Sequence, residues 1–385
     1  MFIDINCTQE KKYNQNAFGD YFVSKRRPGR LIAVLSDGLG SGIKANILSC
    51  MTATMLLRFI EAQRNIKAAC EIILNSLPVC QVRQISYSTF SALDCTDDGD
   101  VKIVEEGNPQ FIWMKKNGDI VEPECKIINS KTFSNRHMRT YHIKLELGDR
   151  LIFCSDGVTQ AGLGGDNLKL GLRRKGLIDV IKKKMKHQPD ISSRELSKYI
   201  VEYAKYIDKK QAKDDISACV VHFAKVRKLC VFTGPPYHNE KDSEYAKIFA
   251  EFDGKKAICG GTTANLISRE LNREIITESP FNTGKLPACS SMEGVDLITE
   301  GILTLSLTYE YLKDEESIDE LNAAVRLMNL LLDNDYILFM VGAQLNQAHY
   351  DPNLPIEIEI RKNVIKKLKK VLEEKYTKRV EIQYM

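Results

Sequence analysis

L-I-A-V-L-S-D-G-L-G-S-G-I-K-A-N-I, residues 31–47, runs from an apolar strand through Ser36-Asp37-Gly38 into a glycine-rich turn and a long apolar segment. A carboxylate at the end of a buried strand, beside glycines that let other groups come close, is where a metal or a phosphate is held. Asp-Gly is also ordinary turn chemistry, so the weight falls on whether the rest of the chain supplies partners for Asp37. Three further acidic positions share the setting. Asp20 closes A-F-G-D, Asp156 follows L-I-F-C-S and precedes Gly157, and Asp214-Asp215 lead into I-S-A-C-V-V-H-F. Strands laid side by side would bring these carboxylates to one sheet edge, where they repel unless a cation neutralises them. An all-oxygen ligand set favours magnesium or manganese over zinc.

The chain has 385 residues, too many for one typical domain, so two are expected. It is 43% hydrophobic and 28% charged, a globular composition with material for sizeable cores. The 55 basic and 51 acidic residues leave a net charge of only +4, against a dedicated nucleic-acid partner. The start, M-F-I-D-I-N, lacks the basic region and apolar core of a signal peptide, and no uninterrupted apolar run reaches bilayer length. The eleven cysteines show no C-x-x-C spacing, which points to reduced thiols in a cytoplasmic protein without a membrane partner.

Residues 1–24 are expected to be a polar start followed by a short apolar run, paired through a turn at 26–29 with a strand at 31–35. The segment 42–60 is apolar nearly all round, which predicts a helix buried on most sides, and a second helix is expected at 65–77. Short strand patterns then follow at 85–93, 100–106, 109–114, 119–121, 140–147 and 150–154. The Asp98-Gly99 and Asn117-Gly118 turns favour antiparallel hairpins. Helices are expected at 176–187 and 193–208, with a strand at 216–223. From 229 the pattern alternates strand and helix, which predicts a mainly parallel sheet covered by helices. Within it, helices are expected at 296–312 and 317–332, after a loop that holds Pro280 and Pro287.

Five blocks in order resemble the metal-dependent protein phosphatase 2C family, in its bacterial branch typified by the sporulation stage II protein E. They are G-D-Y-F (19–22), L-S-D-G-L-G-S-G-I-K-A (35–45), G-N-P (107–109), L-G-D-R-L-I-F-C-S-D-G-V-T-Q-A (147–161) and K-D-D-I-S (213–217). The resemblance covers 1–225. It implies an α+β fold, an α-β-β-α sandwich of antiparallel sheets, followed at 229–385 by a smaller α/β regulatory or ligand-binding domain. It also implies a metal-dependent serine/threonine protein phosphatase with two manganese or magnesium ions. Asp37 would bridge both ions, Gly38 would offer its carbonyl, Asp20 would bind the second ion, and Asp156 with Asp214 would bind the first. Spacing alone leaves Asp215 open as the alternate. Asp37 and Asp156 would act catalytically through a metal-activated water. The expected substrate is a phosphoprotein in bacterial signalling, such as an anti-sigma-factor antagonist-like regulator. Leu39 stands where the eukaryotic enzymes carry a histidine that can serve as an acid, so that group is missing here. The alternative reading is a weakly active or inactive signalling scaffold on the same fold.

Lys44, in the first turn after the glycines, and Arg26, beside the proposed metal strand, are candidates for touching substrate phosphate. In the C-terminal part the densest stretch is K-K-A-I-C-G-G-T-T-A-N-L-I-S-R-E-L, 255–271. Gly260, Gly261, Thr262 and Thr263 form a strand-to-helix turn that suits a small anionic ligand, and equally a plain turn with a good cap.

Overall fold

The computed structural model describes residues 1–63, 66–76, 88–129, 137–165, 168–277, 289–314, 322–342 and 354–385. The chain divides into two compact units, Met1–Lys225 and Val226–Met385.

The first unit begins with β1 (Phe2–Glu10), β2 (Asp20–Arg27), β3 (Arg30–Gly38), α1 (Ile43–Gln63) and α2 (Ile66–Ser76). Next come β4 (Ser88–Thr96), β5 (Asp100–Glu106), β6 (Ile112–Met114), β7 (Ile120–Val121), β8 (Lys126–Asn129), β9 (His137–Lys144) and β10 (Arg150–Cys154). The unit closes with the short α3 (Asp156–Thr159), α4 (Arg173–His187), α5 (Ser193–Ile207) and β11 (Ile216–Ala224). One sheet has the order β1-β11-β10-β6-β7 and the other β2-β3-β4-β5-β9-β8. Their pairings are antiparallel. Leu31, Ala33 and Leu35 of β3 face Leu151, Phe153, Cys219 and Val221 of the other sheet, a dry layer between the two. The opposite face of β3, Ile32 and Val34, packs on α1 and α2, while α4 and α5 cover the other sheet through Leu177, Ile181, Leu196 and Ile200. This is the four-layer α-β-β-α arrangement expected for 1–225.

Two expectations need correction. The polar-looking start is a nine-residue strand, because F-I-D-I-N alternates and pairs with β11 along its whole length. Such a strand reads as polar when its partner, some 210 residues away in sequence, is unknown. Helix α1 is not buried on most sides. It sinks Ala53, Leu56, Leu57 and Ile60 into the core, each large side chain contributing roughly 1.5–3 kcal/mol of burial. Ile43, Ile47 and Met51 are 71%, 51% and 53% exposed, so its first half carries an apolar stripe to the outside. By length and composition alone Ile43–Ala62 is apolar enough to cross a bilayer, a test that a core helix of a globular domain also passes.

The second unit comprises β12 (Lys228–Thr233), α6 (Asp242–Glu251), β13 (Lys255–Cys259), α7 (Gly261–Leu271), β14 (Ile276–Thr277), β15 (Ser290–Met292) and β16 (Val295–Thr299). It continues with α8 (Ile302–Asp314), α9 (Ala323–Asp333), β17 (Tyr336–Val341), α10 (Leu354–Glu374) and β18 (Arg379–Tyr384). The sheet order is β14-β15-β16-β13-β12-β17-β18, parallel from β16 to β18 with an antiparallel edge. Helices α6 and α7 cover one face, and α8, α9 and α10 the other. The smaller, mainly parallel α/β unit thus stands as expected. The single helix expected over 296–312 is instead β16 followed by α8, broken at Glu300-Gly301, because Leu297 and Ile298 pair with β13. The loop with Pro280 and Pro287 lies outside the described residues.

Candidate metal centre

Antiparallel pairing of β2 with β3 sets Asp20 directly opposite Asp37. In the other sheet Cys154 faces Ala218, so the chain leaving β10 at Ser155-Asp156 runs beside the chain entering β11 at Asp214-Asp215. The two pairs come from different sheets and meet at one end of the sandwich. There the Asp37 and Asp156 carboxyl groups lie close enough for each to shift the proton affinity of the other.

The neighbouring aspartates 214 and 215 do different work. Asp215 is buried; its Oδ1 accepts from the Lys12 N–H at 3.0 Å and its Oδ2 from the Gly19 N–H at 2.8 Å. It therefore clamps the segment that delivers Asp20. Asp214 is half-exposed, turned toward Asp156 in charge and 3.8 Å from the Lys12 ammonium. A pair that open to water holds little energy; Asp214 Oδ1 also accepts from the Asp215 N–H at 3.0 Å, which leaves Oδ2 as the oxygen without a backbone partner.

Hydroxyl groups hold the arrangement from behind. Ser217 Oγ donates to Asp20 Oδ2 at 2.6 Å, and Gln160 Nε2 donates to Asp156 Oδ2 at 2.8 Å. The serine of each S-D-G is fully buried and ties strands together. Ser36 Oγ meets Ser88 Oγ at 2.6 Å, and Ser155 Oγ accepts from the Ser217 N–H at 3.0 Å and donates to the Asp215 carbonyl at 3.3 Å. Sequence reasoning passed over Ser217, Gln160, Ser88 and these two serines. Ser217 and Gln160 stand inside the blocks K-D-D-I-S and S-D-G-V-T-Q-A, and the repeated S-D-G marks Ser36 and Ser155, whereas nothing local marks Ser88.

Glycines supply the close approaches. A Cβ on Gly38 would lie 2.1 Å from the Ala45 carbonyl oxygen in the first turn of α1, and one on Gly157 would lie 2.1 Å from the Asp215 carbonyl oxygen. Both S-D-G glycines are therefore demanded by backbone contact beside the carboxylates.

The electrostatics match the crowding. Burial, followed by the charges of Asp20, Asp156, Asp214 and Asp215, pushes Asp37 up to about 9. Burial likewise raises Asp20 to about 7, against the downward pull of hydrogen bonds from Ser217 and Ser155. Asp156 is raised by burial and by Asp214, and Asp214 by burial with Lys12 opposing. Such a group of like charges is what a divalent cation relieves, and the donors are all oxygen. The residues fit a hard cation. They are not closed around a point: among the described residues no three His, Cys, Asp or Glu side chains form a ready-made ligand group. Binding would have to draw them together.

One prediction concerns the metal-free protein. A carboxyl whose folded-state pKa stands above its unfolded value of about 4 keeps its proton longer in the folded chain. Its contribution to stability is complete below about pH 4 and is lost as pH rises through about 7 for Asp20 and about 9 for Asp37. Chelator-treated protein should melt at progressively lower temperature from pH 6 to pH 9, with manganese recovering most at the alkaline end. A melting temperature that holds steady or climbs over that range would count against the crowded cluster.

Lys44 is exposed in the first turn of α1, the turn whose Ala45 carbonyl touches Gly38, so it stays beside the carboxylates. Arg26 does not. It lies at the far end of β2, roughly 20 Å along the strand from Asp20. Its guanidinium sits 4.0 Å over the Phe2 ring, bonds the Ile3 carbonyl and faces Asp97. The expectation that Arg26 touches substrate phosphate is withdrawn, because strand direction carries it away from the site. Gly260, Gly261, Thr262 and Thr263 fall in the second unit, at the start of α7.

A family model described as Stage II sporulation protein E (SpoIIE) matches residues 27–224. Stage II sporulation protein E of Bacillus subtilis (strain 168) is 26% identical over 192 residues, 49% of this chain and 22% of that protein. The match therefore spans about a fifth of that relative's length. Among solved structures, the chain is similar to the PP2C phosphatase domain with a fragment of the regulatory domain of SpoIIE from Bacillus subtilis. That similarity has a TM-score of 0.47 and 20% identity over 57% of this chain and 63% of that one. It is also similar to RsbX in complex with magnesium, at TM-score 0.41 and 20% identity over 57% of this chain and 94% of that one. A third similarity is to the RsbU and RsbW domains of a Mycobacterium tuberculosis protein, at TM-score 0.45 and 18% identity over 57% and 61% of the two chains.

Proposed function

The chain belongs to the stage II sporulation protein E family, and from that premise we propose that it is a metal-dependent phosphatase of phosphoserine and phosphothreonine proteins. The observation that carries this reading is the meeting of Asp20 and Asp37 from one sheet with Asp156 and Asp214 from the other, each raised in pKa by burial and its neighbours. In this reading those four carboxylates and the Gly38 carbonyl hold two manganese or magnesium ions. When bound, the ions supply an acidified water and neutralise the phosphoryl oxygens.

The chain's own residues do the positioning. Ser217 fixes Asp20, Gln160 fixes Asp156, and Asp215 anchors the loop before β2 rather than joining the ligands. Lys44, exposed in the first turn of α1, is the candidate to receive a substrate phosphate. The substrate class is a regulatory phosphoprotein in bacterial signalling, of the kind handled by partner-switching systems. The free cysteines among the described residues accord with a reducing cytoplasm.

The two neighbouring aspartates provide the test. Asp214→Asn should lose manganese-stimulated hydrolysis of a phosphoserine peptide while melting like the wild type. Asp215→Asn should lower the melting temperature, since an amide cannot accept from both backbone N–H groups; a buried donor left unpaired costs about 1–3 kcal/mol. The reverse pattern would sink the ligand assignment. A second reading, a phosphatase fold kept as a signalling scaffold, draws on the absence of a closed ligand group among the described residues. No hydrolysis by the wild type with manganese or magnesium would favour it.

A further inference from the structure

Two short stretches of the second unit repeat one spacing: C-G-G-T-T-A at 259–264 and E-G-I-L-T-L at 300–305, each with glycine, two residues, then threonine. They leave adjacent parallel strands at the same end, since Cys259 of β13 pairs with Thr299 of β16. Gly260 opens α7 on one face of the sheet and Gly301 opens α8 on the other. The two glycines face each other, with a Cβ on Gly301 falling 3.6 Å from the Gly260 Cα. Two helices of eleven and thirteen residues thus bring their N-termini, with their unpaired N–H groups, to one gap. No side chain caps α7.

The threonines give the second, independent sign. Thr263 and Thr304 are 1% and 0% exposed, and neither hydroxyl has a hydrogen-bond partner. Thr263 Oγ1 lies 3.5 Å from where a Cβ on Gly260 would stand, so it is turned into the gap. A buried hydroxyl left unpaired costs about 1–3 kcal/mol, and the one at Thr263 suits a ligand that supplies acceptors; Thr304 lies instead on the side of α8 that packs on α9, where Thr308, one turn on, donates to the Thr304 and Ala324 carbonyls.

The glycines agree. Gly260, at φ +132°, needs glycine for its backbone. Gly261 does not: a Cβ there would meet nothing within 4 Å. What a side chain at Gly261 would do is cover the helix N–H groups. The other ligand position of a doubly wound sheet, where the connections diverge between β12 and β17, is filled by backbone. A Cβ on Gly342 would sit 2.1 Å from the Pro235 carbonyl oxygen.

We propose that Gly260, Gly261 and Thr263 of α7, beside Gly301 at the start of α8, form a cradle for the phosphate group of a small phosphate monoester. It is separate from the phosphatase reading and stands or falls without it. The donors are helix N–H groups and the Thr263 hydroxyl, a set that matches phosphate oxygens.

Calorimetric titration of the full chain, kept in chelator so that the N-terminal carboxylates hold no metal, tests this with inorganic phosphate and with AMP as probes. Wild-type protein should bind. Equal affinity for the two probes would identify a site for phosphate alone, and tighter AMP binding a site for a larger ester. Gly261→Val and Thr263→Val should each weaken binding by about tenfold or more, the loss expected when a charged acceptor gives up a hydrogen bond. Without ligand, Thr263→Val should melt no lower than the wild type, since its hydroxyl has no partner to lose. The cradle is refuted if neither probe binds, if both variants bind as the wild type does, or if Thr263→Val melts lower without ligand.

Discussion

Asp37→Asn should lower the proposed metal-dependent phosphatase activity by about a thousandfold, equivalent to roughly 4 kcal/mol of transition-state stabilisation. Asp37 is the residue that joins the two halves of the cluster. It sits opposite Asp20 in one sheet and is coupled in charge to Asp156 from the other. An amide in its place keeps the shape and removes the charge that a shared cation requires. The fold should not suffer. Asp37 is the carboxyl pushed highest, to about 9, by burial and four neighbouring charges. Asparagine relieves that repulsion, so the metal-free variant should melt like the wild type near pH 4 and at a progressively higher temperature than it as pH rises toward 9. Loss of turnover with raised alkaline stability separates a lost ligand from a broken fold. If the variant keeps a tenth or more of wild-type turnover with manganese, Asp37 is not the bridging group.

Gly38→Ala should be the most damaging single-methyl change near the site. The new Cβ would lie 2.1 Å from the Ala45 carbonyl oxygen. That neighbour is helix backbone and not the flexible end of a side chain, so relief must come from moving α1 away from β3. Overpacking of this kind costs about 1–3 kcal/mol and can cost more. Here it also displaces the first helical turn, with Lys44, from the carboxylates. The expected result is a melting temperature several degrees lower together with weakened manganese binding. Gly157→Ala, meeting the Asp215 carbonyl oxygen at the same distance, should behave alike. Gly40→Ala is a useful comparison, because its φ of +102° brings backbone strain while a Cβ there would meet nothing within 4 Å. If Gly38→Ala and Gly40→Ala lose stability and metal binding equally, the close approach of α1 is not what Gly38 serves.

Much of the first unit was legible because its signals are local. An apolar run ending in S-D-G states in three residues that a strand stops and a carboxylate turns outward, and the chain says it twice. What was misread was non-local in origin. Strand β1 reads as polar until its partner β11 is known. Arg26 looks close to Asp20 in the chain, yet six residues of extended strand carry it to the opposite end of the sheet. The stretch 296–312 has an apolar pattern that suits a helix, and only pairing with β13 makes its first part a strand.

By itself the sequence determined the family-like order of blocks, the split into two units and the identity of the candidate carboxylates, since all three rest on short-range pattern. Tertiary structure alone decided which aspartate of 214 and 215 is spent on backbone N–H groups from Lys12 and Gly19, two hundred residues away. It alone showed that Asp37 and Asp156 come together from different sheets, and that Gly260 faces Gly301. Adjacent aspartates carry the same chemistry in a sequence. Burial, and the partners that fold brings from a distance, make one an anchor and leave the other as the proposed ligand.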